Sequence, residues 1–132
     1  SVTACRLKGD AIHPIHTLST LPKDFAERNT CADVEVHPSG KFLYCSNRGH
    51  DSIAMFAIDQ KTGRLTATGQ EHTEAVPRSF NVDPTGKYLV AAGLRANKLT
   101  VYRIDPNTGK LKPLKTYDVG KGPTWVQILK QG

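Results

Sequence analysis

His37-Pro38-Ser39-Gly40-Lys41-Phe42-Leu43 returns as Asp83-Pro84-Thr85-Gly86-Lys87-Tyr88-Leu89, and the two copies stand 83 − 37 = 46 residues apart. The spacing holds through the next segment. Ile58-Asp59 with Thr62-Gly63-Arg64-Leu65 returns as Ile104-Asp105 with Thr108-Gly109-Lys110-Leu111, and 104 − 58 is again 46. A repeat of roughly 40–50 residues, built from short strands and glycine turns, is the pattern of β-propeller blades. One such sheet cannot bury both of its faces alone. The expected fold is therefore all-β, with blades of four antiparallel strands that belong to a larger ring.

Each copy reads as four strands. The first copy places them at Asp33 to His37, Lys41 to Ser46, Ser52 to Asp59 and Arg64 to Gln70. The second places them at Ser79 to Asp83, Lys87 to Ala92, Lys98 to Asp105 and Lys110 to Tyr117. In the third strands Ile53, Met55, Leu99 and Val101 alternate with smaller or polar residues at period two. Pro-x-Gly closes the first turn of each copy, proline presetting φ and glycine taking the left-handed position.

Partial copies flank these two. Ile12-His13-Pro14-Ile15-His16-Thr17 mirrors Leu111 to Thr116, and Pro123 to Ile128 mirrors Pro77 to Val82. The expected organisation is the end of one blade with a connecting loop over 1–30, a blade over 31–76, a second over 77–122, and the first strand of a further or closing blade over 123–132. Dividing 132 by 46 gives about 2.9 units, whereas rings close with about four to eight blades. The chain is thus expected to start and stop mid-blade, with further blades from the same or another chain completing the ring. Leu21 to Arg28 departs from the repeat and reads as a loop with one helical turn after Pro22.

Composition narrows the function. The net charge is +6, but Lys and Arg are interspersed with Asp and Glu, without a basic run or neighbouring aromatics. That argues against nucleic acid and for a local pocket taking a small anion. No apolar run approaches the roughly 18–20 residues of a membrane span. Three cysteines without CxxC spacing point to free thiols in a reducing, cytoplasmic setting. There is no GxSxG elbow, Walker loop, GxGxxG or zinc spacing, so neither metal nor cofactor is expected. His13 and His16 are rejected as co-ligands, because residues three apart on a regular strand face opposite ways.

Strand order then predicts where chemistry sits. In an up-and-down blade one rim collects the start of the first strand, the loop between strands two and three, and the return from strand four. Here that rim receives Cys31-Ala32-Asp33, Asn47-Arg48-Gly49-His50-Asp51, and Glu71-His72 through Pro77-Arg78. The following unit adds Leu94-Arg95-Ala96-Asn97, Lys121, Thr124 and Trp125. The opposite rim holds only the repetitive turns, so loops on the first rim should carry function.

Candidate catalytic residues are Arg48, Asp33 and His50; candidate substrate-binding residues are Arg78, His72, Arg95 and Lys121. Guanidinium groups suit planar, bidentate capture of carboxylate or phosphate. Asp33 is either a general base or the orienting partner of an arginine. His50 and His72 are placed to shuttle protons near neutral pH. Each has a structural alternative: an Arg48–Asp33 ion pair, arginines tying blades through carbonyls, solvent-exposed loop histidines. Trp125 is read as hub filling rather than as a stacking surface.

Cys31-Ala32-Asp33-Val34, then Pro38-Ser39-Gly40-Lys41-Phe42-Leu43-Tyr44 and Ser46-Asn47-Arg48-Gly49-His50-Asp51-Ser52-Ile53, resembles the signature of the seven-bladed β-propeller lactonase family. Pro77-Arg78-Ser79-Phe80-Asn81-Val82-Asp83 is similar to its next blade, and Gly120-Lys121-Gly122-Pro123-Thr124-Trp125-Val126 to its C-terminal end. The likeness spans essentially the whole chain and corresponds to the C-terminal portion of a member. It implies hydrolysis of a small anionic sugar lactone without a required metal, 6-phosphogluconolactone to 6-phosphogluconate of the pentose phosphate pathway in particular. It places Arg48 on the family's Asn-Arg-Gly arginine, Asp33 on its acidic inner-strand position and Arg78 on its Pro-Arg arginine. The family's histidine-rich segment has no counterpart here, and Gly93-Leu94 stands where some relatives carry Asn-Gln. A carboxymuconate-type lactonising cyclase and a non-catalytic scaffold or binding module are the alternatives.

Overall fold

The computed structural model describes residues 1–130, which form β-strands, turns and loops, with no helix among them. Strands β1 (Val2–Lys8) and β2 (Ala11–Leu18) make an antiparallel pair. Strands β3 (Cys31–Val36), β4 (Phe42–Asn47), β5 (Ser52–Ile58) and β6 (Leu65–His72) form a four-stranded sheet in chain order. Strands β7 (Pro77–Val82), β8 (Tyr88–Gly93), β9 (Lys98–Ile104) and β10 (Leu111–Asp118) form a second of the same design. The duplication reaches even the irregularities. The β5–β6 ladder skips Thr68 and the β9–β10 ladder skips Leu114, again 114 − 68 = 46 positions apart.

The two sheets stack face to face as propeller blades do. Phe42, Tyr44, Ile53 and Met55 of the first sheet bury against Phe80, Val82, Leu89, Ala91, Tyr102 and Ile104 of the second. The first sheet's other face presents Cys45, Ala54, Phe56 and Leu65 to Val2, Ala4 and Leu18 of the β1–β2 pair. The Tyr44 hydroxyl crosses the gap to donate to the Gly109 carbonyl at 2.8 Å.

The inner strands are joined by side chains rather than by a ladder. The carboxylate of Asp33 accepts from the Phe80 N–H at 3.2 Å, and that of Glu35 from the Val82 N–H at 2.8 Å. One repeat later Ser79 Oγ accepts from Val126 N–H at 3.1 Å and Asn81 Oδ1 from Ile128 N–H at 2.7 Å. The segment after Pro123 therefore lies where a next inner strand would lie. The sequence predicts a strand there, but none forms among residues 123–130, because no described residue supplies the ladder. At the other end Val34 and Val36 are 54% and 55% exposed, whereas their equivalents Phe80 and Val82 are 0% and 7% exposed. Identical positions differ because only the later pair has a sheet across from it.

The Pro-x-Gly turns show how one position serves two ends. Asp83 closes its own turn, accepting from the Thr85 hydroxyl and amide and from Tyr88 N–H. His37, at the same place one repeat earlier, is buried, and its Nε2 donates to the Gly86 carbonyl at 2.8 Å across the blade boundary. Gly86 has φ +72°, and a Cβ there would lie 2.6 Å from His37 Nε2. Both backbone and space demand glycine.

Partial burial opposes the charge on Asp83, but the hydrogen bonds from Thr85, Tyr88 and Lys87 outweigh it and hold its carboxyl below the usual range. Because the folded value is depressed, this stabilisation is present above the unfolded carboxyl's pKa, about 3.9, and is lost as pH falls through the folded value. Acid unfolding followed by tryptophan-independent circular dichroism should therefore begin below about pH 4, and Asp83→Asn should weaken that pH dependence.

Two local readings change. Leu21 to Arg28 holds no helical turn: a hydrogen-bonded turn runs from Pro22 O to Phe25 N at 3.2 Å, and the loop then runs irregularly. Proline presets only the first turn position, and nothing after it continues the i→i+4 ladder. His13 and His16 do not alternate, because a bulge at β2 pairs them with Arg6 and Ala4 and so puts both on one face. His16 Nε2 is already engaged, accepting from Leu65 N–H at 2.8 Å.

All three cysteines are free: Cys5 exposed, Cys31 half-buried and Cys45 buried. Burial pushes the Cys45 thiol up to about 12, with the neighbouring Cys31 adding to it. A thiol-disulfide reagent at pH 8 is expected to modify Cys5 quickly and Cys45 only after denaturant is added. Fast modification of Cys45 in the native chain would contradict its place between the sheets.

Candidate functional site

Three equivalent positions of successive inner strands, Ala32, Arg78 and Thr124, meet at one rim. They line a pocket of about 430 Å³ together with Cys31, Asp33, Arg48 and Trp125. The strand starts are bulged here. The β3–β4 register jumps between Cys31 and Val34, and the β7–β8 register jumps between Pro77 and Ser79, leaving Arg78 without a ladder partner. A bulge at a strand start swings a side chain out of the pleat, and this one puts the Arg78 guanidinium into the opening. Val76, the residue before this strand, has φ +61°. That is strained for a β-branched residue. It is held by Asp51, whose Oδ1 accepts from Val76 N–H at 2.9 Å.

Asp33 is anchored rather than paired with an arginine. Its two carboxylate oxygens accept from Val34 N–H at 3.0 Å and Phe80 N–H at 3.2 Å. Its own N–H donates to Ser46 Oγ at 2.9 Å. Each oxygen keeps a lone pair for a ligand or water. Arg48 makes no ion pair with it: Nη2 donates to the Cys31 carbonyl at 3.4 Å, and Nε is buried without an acceptor. A guanidinium held by one long bond, lining one pocket with a carboxylate and a second arginine, is suited to an anion or a developing oxyanion.

Arg48 is positioned by a network that sequence reading missed. Asn47, fully buried, donates through Nδ2 to Thr20 O at 2.9 Å, and its Oδ1 accepts from Thr20 Oγ1 at 2.8 Å and Asn29 Nδ2 at 3.1 Å. Asn29 Oδ1 in turn accepts from Gly49 N–H at 2.9 Å and His50 N–H at 3.1 Å. The irregular loop before β3 is thereby clamped onto the Arg48 loop. The only sequence hint was Asn29, at the end of the unrepeated stretch Leu21 to Arg28.

The remaining candidates separate. His50 points away from the Asp33 pocket: Nδ1 bonds Ser52 Oγ at 2.7 Å, and its ring meets Phe25 edge-on at 4.8 Å. His72 is exposed and lies 5.5 Å from His50, ring to ring. Arg95 lines a second depression, which also touches Arg48. Lys121 is exposed and touches neither cavity. Trp125, read as hub filling, is 74% exposed and borders the pocket instead.

Residues 1–128 match the family described as Lactonase, 7-bladed beta-propeller. The chain is 41% identical over 118 residues to the 6-phosphogluconolactonase of Pectobacterium atrosepticum, covering 89% of this chain and 36% of that protein. It is 39% identical over 129 residues to the 6-phosphogluconolactonase of Sodalis glossinidius, covering 98% of this chain and 39% of that protein. A crystal structure of a Lactobacillus plantarum protein superposes with a TM-score of 0.91 at 30% identity, covering 97% of this chain and 38% of that one. The chain thus spans well under half the length of the relatives it matches.

Proposed function

The chain belongs to the seven-bladed β-propeller lactonase family, and on that premise we propose that it forms part of a lactone-hydrolysing enzyme whose substrate is 6-phosphogluconolactone. The relatives' name supplies the substrate. The observation carrying the reading is the convergence of Asp33, Arg48 and Arg78, far apart in the chain, on one pocket of about 430 Å³. The 31–76 and 77–122 units serve as two blades, and the polypeptide works as part of a complete ring in a reducing compartment such as the cytoplasm.

In the proposed reaction Asp33 removes a proton from water as the oxygen attacks the lactone carbonyl carbon. The carbonyl π electrons move onto oxygen, and Arg48 and Arg78 stabilise that oxyanion. Collapse restores the carbonyl and breaks the ring C–O bond. The proton held by Asp33 passes to the departing ring oxygen, which becomes a hydroxyl, and the product carries a new carboxyl group.

Arg48→Ala, made in the complete polypeptide, is expected to lower kcat/KM for the lactone by about 10²–10³-fold. Arg48→Lys should recover only part of it, since an ammonium lacks the fork. Hydrolysis is read from acid release against the spontaneous rate. A loss of under about threefold, well short of one 1.4 kcal/mol tenfold step, would remove Arg48 from the chemistry.

A further inference from the structure

The second depression, of about 410 Å³, is lined by Arg28, Asn29, Thr30, Arg48, Gly49 and Arg95. We infer that it is a phosphate subsite, holding the phosphate of a phosphorylated lactone whose ring occupies the adjoining Asp33 pocket. This rests on the lactonase reading above.

Three guanidinium groups from three separate segments face one cavity, and no carboxylate lines it. The single ion pair among the described residues joins Lys98 to Asp118. The positive charge of Arg28, Arg48 and Arg95 is therefore uncompensated by protein. Arg48 also brings the buried Nε–H that has no acceptor. A buried N–H without a partner is destabilising, and an oxyanion that reaches it would satisfy it.

The backbone fixes the geometry. A Cβ on Gly49 would collide with the Arg28 carbonyl oxygen, so glycine alone lets the Arg28 loop press against the Arg48 loop. The Asn29 bonds to Gly49 and His50 amides lock that approach. Arg95 is set by its own tight loop, with its N–H on the Ala75 carbonyl at 3.3 Å.

Charge decides which end of the substrate goes where. Asp33 borders the first pocket and repels a phosphate dianion, whereas the second contains no acid. Arginine forks match phosphate oxygens in bidentate fashion. Arg48 lines both cavities, so one side chain spans the link between phosphate and reacting carbonyl.

The test compares Arg28→Ala, Arg95→Ala and the double variant in the complete polypeptide. Each is assayed with 6-phosphoglucono-δ-lactone and with unphosphorylated glucono-δ-lactone, and titrated with inorganic phosphate by calorimetry. The ratio of kcat/KM, phosphorylated over unphosphorylated, should fall about tenfold in each single variant and further in the double, mostly through KM. Phosphate affinity should fall in parallel, with Arg95→Lys retaining part of both. An unchanged ratio, or equal slowing of both substrates, would overturn the subsite while leaving the lactonase reading intact. If the wild type hydrolyses neither lactone, the lactonase reading falls. The phosphate titration then still decides the subsite: lost binding in the variants supports it, and unchanged binding overturns it.

Discussion

Asp33→Asn in the complete polypeptide should reduce kcat for lactone hydrolysis by about 10²–10⁴-fold, the usual range for losing a general base. The substitution is chosen because Asp33 has two jobs. Its two carboxylate oxygens accept separately from the Phe80 and Val34 N–H groups, so an asparagine Oδ1 keeps one of these bonds while its Nδ2 meets the other N–H. What asparagine cannot do is take a proton from water. Fold and chemistry are thereby separated in part, and the thermal midpoint should fall by less than it does in Asp33→Ala. Asp33→Ala should lose the activity and also destabilise the junction between inner strands, since the Phe80 N–H is then left without its acceptor. A variant Asp33→Asn that keeps a third or more of wild-type kcat would assign Asp33 to structure alone.

Phe80→Ala should destabilise the chain by about 3–5 kcal/mol, the range for emptying a packed aromatic site. Phe80 is 0% exposed and sits in the layer between the two four-stranded sheets. Its equivalent one repeat earlier is Val34, which is 54% exposed. Val34→Ala in the same chain should change stability by no more than about 0.5 kcal/mol. Urea unfolding of both variants measures the contrast directly. Equal, small effects would show that the sheets are not stacked through that layer. In a ring whose neighbouring sheet covers Val34, its truncation should become costly, so the same pair of substitutions reports on ring completion.

The fold was readable because its determinants are local and said twice. Period-two alternation and Pro-x-Gly or Thr-Gly turns specify strands and reversals over a few residues, and an ungapped repeat fixes which segments are equivalent. The rim carrying Asp33, Arg48 and Arg78 followed from strand order alone. Its finer content did not. His50 stands two residues from Arg48 in the chain, yet Ser52 and Phe25 draw it to another cavity. The Arg48–Asp33 ion pair, held open as an alternative, gave way to separate bonds, to the Cys31 carbonyl and the Phe80 amide. Arg28 lay in the one stretch without a repeat, so no equivalence pointed to it.

The sequence by itself determined the sheets, their order and the face on which loops gather, since those depend on short-range patterning and on the 46-residue period. Tertiary structure decided which side chains share a cavity. That depends on bulges at Cys31–Val34 and Pro77–Ser79, and on a loop clamped by Asn47 and Asn29. A one-residue bulge redirects a side chain without altering composition or spacing, and a clamp joins residues from distant segments. Neither leaves a periodic trace in the chain.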